Sequence, residues 1–89
     1  MKNKNKKLFH NLLDLVLDKQ DSEADAGIDM NVSTLGYTAS VWLMNVEDGK
    51  ITGAKEYYTR IGDESWAKTK NGKTEIVRDE DVLEALRNA

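Results

Sequence analysis

Residues 41–50 read VWLMNVEDGK and residues 66–77 read WAKTKNGKTEIV, and these two stretches decide the fold. Each holds a turn dipeptide, Asp48-Gly49 or Asn71-Gly72, between runs of strand-forming residues. A type I′ turn needs positive φ at both central positions. Glycine takes that conformation freely, and Asn or Asp takes it more readily than other side chains. Two hairpins in tandem, and hence an antiparallel meander, are predicted. The first turn sets Glu47 opposite Lys50 and Val46 opposite Ile51. The second sets Trp66 opposite Val77, Ala67 opposite Ile76 and Lys68 opposite Glu75, an opposite-charge pair across the strands.

On that register the first hairpin is apolar on both sides. One face carries Trp42, Met44, Val46, Ile51 and Tyr57; the other carries Tyr37, Ala39, Val41, Leu43, Ala54 and Tyr58. A sheet with one solvated face alternates more cleanly. A helix on each side, a curled barrel-like sheet or a partner molecule would cover the second face.

Outward from the hairpins, Leu8, Phe9, Leu12, Leu13, Val16 and Leu17 recur at helical spacing and predict a helix over residues 6–19. Residues 1–5 read as a flexible basic tip and residues 20–27 as an acidic connector. Ile28, Met30 and Val32 alternate with polar residues, so residues 28–46 hold either two strands or one kinked strand. Strands follow over 37–46 and 51–61, with a turn at residues 62–65. Asp79 reads as the N-cap of a closing helix through Asn88, with Glu80 and Asp81 in its first turn and an apolar stripe of Val82, Leu83 and Leu86. The expected fold is α+β: a single domain over residues 1–89, with a four- to five-stranded antiparallel meander flanked by an N-terminal and a C-terminal helix.

With 89 residues there is room for one modest core, and 33% of them are charged. No cysteine is present, which excludes disulfides, thiol nucleophiles and Cys-based metal sites. A secreted domain this small usually needs such staples, so a cytoplasmic location is expected. Polar residues His10, Asn11, Asp14 and Asp18 break any signal-like apolar run, and no stretch approaches a membrane span. In size and composition the chain resembles the short proteins of phages and mobile elements in general. The net charge of −3 is unevenly spread. Lys2, Lys4, Lys6 and Lys7 make a basic tip; residues 14–30 and 79–84 are acidic; residues 55–78 are slightly basic.

Catalytic signals are few. His10 is the only histidine, and an acid–base site would have to gather it with carboxylates such as Asp14 or Glu56. A structural role for it is the plainer reading. Asp21, Glu23, Asp25 and Asp29 suggest a calcium loop, but Gly27 falls one place late and the twelfth position is Val32. No phosphate-cradling glycine loop exists. The expectation is therefore no cofactor, no metal and no enzymatic activity. Instead, a protein-interaction module is expected, an inhibitor or regulator that occludes a surface of a larger, possibly nucleic-acid-binding, protein. Trp42, Met44 and Tyr57 are its expected anchors, because interface energy concentrates in aromatics. Asp14, Asp18, Glu80 and Asp81 would attract a basic partner. A homodimer is a further option. The alternative is single-stranded nucleic-acid binding, with Trp66 stacking on bases while Arg60, Lys68 and Lys70 neutralise phosphates.

Overall fold

A computed structural model gives the structure, and it describes residues 3–19 and 25–88. Helix α1 (Asn3–Asp18) precedes five strands, β1 (Asp25–Ser33), β2 (Gly36–Glu47), β3 (Lys50–Arg60), β4 (Ser65–Lys70) and β5 (Lys73–Arg78), and helix α2 (Asp79–Arg87) closes the chain. All five strands form one antiparallel sheet in sequence order. The α+β meander between two helices is what the hairpin signals require.

Both type I′ turns are present. Asp48 and Gly49 have φ of 51° and 76°, and Asn71 and Gly72 have φ of 52° and 78°. The paired residues are those expected, from Glu47 with Lys50 to Lys68 with Glu75. Residues 28–46 form two strands, joined by a two-residue loop at Thr34 and Leu35 that needs no positive φ. One departure lies in the first hairpin. The register shifts between Asn45 and Val46 and again between Leu43 and Met44, so Ala54 pairs with Met44. Two extra residues on β3, at 52 and 55, cause it; each is a bulge, and a bulge moves the positions beyond it by one.

Two segments expected to be loose are ordered. Residues 3–5 belong to α1 and not to a flexible tip, because the Asn5 side chain is buried and hydrogen-bonded to Tyr37 and Arg60. Residues 25–27 of the expected connector belong to β1; residues 20–24 lie outside the described residues. Gly27 has a packing reason to be in the strand. A Cβ there would collide with Cζ2 of Trp42, so the indole lies directly over the glycine backbone.

Cross-strand partners fall into rows. On one face, Ile28, Val41, Tyr58, Lys68 and Glu75 form a row, and Arg60, Trp66 and Val77 form part of the next. Both helices pack on this face. Leu8, Phe9 and Leu12 of α1, and Val82 and Leu86 of α2, close over Ala39, Val41, Leu43, Tyr58 and Trp66. The helices run in the same direction: Asn5 and Asp79 meet at Arg60, while the Lys19 ammonium donates to the Arg87 carbonyl 3.3 Å away. Among the described residues, no helix lies on the opposite face.

A side chain at Gly72 would be held at positive φ. Gly72→Ala is expected to cost about 1 kcal/mol or more, read as a lower urea midpoint with an unchanged slope. Gly36→Ala, in open space without positive φ, should leave the midpoint nearly unmoved.

Candidate functional site

Three groups of side chains hold the chemistry. The first is inside. Arg60 extends from β3 into the layer between sheet and helices, where its side chain is 2% exposed. Its guanidinium donates to Asp79 Oδ1 at 2.6 Å, to Asn5 Oδ1 at 2.8 Å and to the Asp63 carbonyl, with a longer approach to the Tyr37 hydroxyl at 3.5 Å. The rings of Phe9, Tyr37 and Trp66 lie 5.4–5.9 Å from it, within cation–π range. Burial works against this charge, but the hydrogen bonds to Tyr37 and Asp79 and the Asp79 charge outweigh it, so the Arg60 pKa rises above its ordinary value. Asp79 also accepts from the Trp66 indole at 2.7 Å, and Asn5 donates to Tyr37 at 2.9 Å. No buried side-chain polar atom of the cluster lacks a hydrogen-bond partner, as a buried ion pair requires.

This cluster corrects two expectations. Arg60 and Trp66 do not lie on an exposed strand face, because strand alternation turns both inward; Trp66 is fully buried. Asp79 is not the N-cap. Arg78 holds that position with extended backbone, and Asp79 is the first residue of α2, its carboxylate drawn inward by Arg60 and Trp66. The Asp81 carboxylate accepts from the Arg78 backbone N–H at 2.9 Å, fixing the start of the helix.

The second group lies on the same face toward the β4–β5 turn. The Tyr58 hydroxyl donates to Glu56, whose carboxylate is also 3.4 Å from Lys70 and 3.9 Å from Lys68; Lys68 is 3.7 Å from Glu75. Burial raises the Glu56 pKa, but the Tyr58 bond and the two lysines prevail and hold it below the ordinary 4.5. Burial, then the bond to Glu56 and its negative charge, push the Tyr58 phenol well above its usual 10. Lys68 and Lys70 are thus engaged with carboxylates.

The third group is the uncovered face. Gly27, Trp42, Tyr57, Thr69 and Thr74 form one row across it, and Asp29, Ser40, Thr59, Ala67 and Ile76 the next. The rings of Trp42 and Tyr57 stack with centroids 6.2 Å apart and planes 21° from parallel. Gly27 flanks the indole on its other side. Tyr57 and Ile76 are 43% and 65% exposed, while Trp42 and Met44 are half-buried. The threonines of β4 and β5 join across the strands, with Thr69 and Thr74 hydroxyls 3.2 Å apart.

Of the expected partner residues, Trp42, Met44 and Tyr57 share this face. Asp14, Asp18, Glu80 and Asp81 are exposed on the helices, on the other side of the sheet. The expected set is split between two surfaces. Lys68 and Lys70 also lie on the helix side, so they do not share a surface with the exposed aromatics. His10 lines a small pocket with Lys6, Phe9, Leu13, Met30 and Val32, whereas Glu56 is bonded elsewhere, so the structure does not gather the two. Of the calcium-loop residues, Asp21 and Glu23 lie outside the described residues, while Asp25 and Asp29 belong to β1. Among the described residues, no cluster of three or more His, Asp or Glu could hold a metal ion, and no helix is long and apolar enough to cross a membrane.

Asn5 was missed by sequence reasoning, and Arg60 and Asp79 were given other roles. The signal that could have found them is the placement of Arg60 one pairing step from Trp66, on the parity of the buried Tyr58. Set against known protein families, curated proteins and solved structures, the chain matches none of them.

Arg60→Ala is expected to destabilise the fold by about 3–5 kcal/mol, because it leaves Asp79 buried without its partner. Arg60→Lys should recover little, since an ammonium cannot reproduce the fork; chemical denaturation reads both. Because Glu56 ionises more readily in the folded chain, its contribution to stability is full above pH 4.5 and fades as the pH falls through its lowered folded value. Thermal melts of Glu56→Gln should lack that part of the acid sensitivity.

Proposed function

We propose that this protein is a non-enzymatic interaction module that occludes a surface of a larger protein with the uncovered face of its sheet. The carrying observation is that α1 and α2 pack on the same face, leaving the Trp42–Tyr57 stack, Met44 and Ile76 facing outward. A stacked aromatic pair wedged over a glycine is stiff, so it loses little side-chain freedom when a partner settles on it. Around it the face presents small hydroxyl side chains, Thr38, Ser40, Thr59, Thr69 and Thr74, which supply hydrogen bonds without bulk.

Its charges, Asp29 on β1 and Arg78 on β5, stand on the outer strands, so its middle suits a partner with an apolar or aromatic patch. The carboxylates of Asp14, Asp18, Glu80 and Asp81 stand on the far side and do not touch a partner seated on it. Their part is long-range steering of a basic partner, which shows in association rates and salt dependence. The nucleic-acid alternative gains no support: Arg60 and Trp66 are internal, and the two lysines stand opposite the exposed rings.

The test is capture from host extract by the immobilised chain, compared among the wild type, Trp42→Ala and Gly27→Ala. Trp42→Ala removes the anchor and should weaken binding of the captured protein by about 2 kcal/mol or more. Gly27→Ala displaces the indole and should weaken it too, while circular dichroism shows both variants folded. Unchanged capture by both folded variants would exclude the uncovered face as the docking surface.

A further inference from the structure

We propose that the groove between α1 and β1 binds a small apolar monocarboxylate, a free acid with a hydrocarbon body. The site lies on the helix side of the sheet, away from the uncovered face, and does not rest on the occlusion reading.

Two periodicities build the groove. Lys6, Phe9, His10 and Leu13 stand three or four residues apart and so share one flank of α1. Met30 and Val32 share the parity of Ile28, which turns them to the helix side of the edge strand β1. These six residues line a space of about 210 Å³. Phe9 is buried at its base and Met30 is half-buried, whereas Leu13 and Val32 are 42% and 53% exposed.

Charge selects the ligand. The lining holds an ammonium and an imidazole and no carboxylate. Other cations of the chain are engaged: Lys4 with Glu64, Lys68 and Lys70 with Glu56. The side chains of Lys6 and His10 make no hydrogen bond or ion pair among the described residues. Both can donate an N–H, the imidazole in either protonation state. Four residues apart on a helix, they start about 5–6 Å from each other at Cβ, so one carboxylate can accept from both.

Size narrows the ligand further. The space falls below the roughly 300–1,000 Å³ of pockets for drug-sized molecules, so a smaller one suits it. From Lys6 to Leu13 the helix rises about 10 Å, close to the extended length of an acid of about eight carbons. The carboxylate then sits at the Lys6–His10 end, and the chain runs over Phe9 toward Leu13.

Octanoate is the probe, titrated into the full chain and followed by calorimetry and amide NMR shifts. It should saturate in the millimolar range or below, as a ligand of about ten non-hydrogen atoms and ordinary efficiency does. The shifts should centre on His10, Leu13, Met30 and Val32. From butanoate to octanoate, each added methylene should raise the affinity by up to about fourfold. Lys6→Gln, an exposed change, should weaken octanoate about tenfold. Leu13→Glu should abolish uptake, with circular dichroism showing both variants folded, and Trp42→Ala should leave it unchanged. Failure to saturate even at about 10 mM, equal binding of octylamine, or an affinity indifferent to chain length would overturn the proposal. So would shifts centred on Trp42 and Tyr57. Shifts at the groove that grow with protein concentration and resist octanoate would give it to a second copy instead.

Discussion

One guanidinium ties this fold together. Arg60 leaves the third strand at a position where its neighbours in the layer are aromatic and aliphatic, and it is held there by groups from both helices. Asn5 comes from α1, Asp79 from α2, Tyr37 from β2, and Trp66 stacks from β4 while bonding the same carboxylate. A buried ion pair of this kind adds little net stability over a well-packed apolar cluster, since desolvation offsets most of its Coulomb energy. Its effect is selective. Alternative placements of either helix leave an amide, a carboxylate or an indole N–H without a partner, and each such loss costs more than the contact contributes.

The second constraint is parity. Tyr57 and Tyr58 are neighbours in the chain and stand on opposite sides of the sheet, as do Trp42 and Val41. One set closes the core, and the other faces outward. A slip of one residue would exchange them, so the type I′ turns that fix the register also decide which aromatics are offered to solvent. The bulges on β3 fall between the first turn and the Trp42–Tyr57 pair, and beyond them the pairing of Leu43 with Glu56 continues without interruption to Ser40.

Much of this was legible in the sequence. The turn dipeptides give two hairpins, the antiparallel order, the register of the second hairpin and that of the first beside its turn, but not the two bulges on β3 that shift the first hairpin further along. The apolar stripes give both helices. Other features resisted for physical reasons. A run of lysines and asparagines looks like a loose end, yet Asn5 has a buried partner 55 residues away in sequence, which no local pattern reports. An arginine among aromatics reads as a binding surface until its carboxylate is located. Asp79 has the ordinary signature of a cap, and only the tertiary demand of Arg60 turns it inward. Alternation shows that the hairpin has two apolar faces but carries no information about which one the helices choose. Trp42, Met44 and Tyr57, expected together, do lie on one face, because they share parity on paired strands. The helix carboxylates were grouped with them on charge alone, and the sheet separates the two sets.

The meander also shapes how the chain acquires its structure during synthesis. Each strand pairs with its sequence neighbour, so the sheet closes through short loops and small entropic penalties. Helix α1 is different. It is made before the sheet, but its ties to Arg60 and to the Arg87 carbonyl await residues 55 and 68 positions later. A lone sixteen-residue helix is marginal in water, so a segment made before the sheet settles only after it. Until the C-terminal turn emerges, its apolar stripe stands open to whatever lies near the tunnel exit.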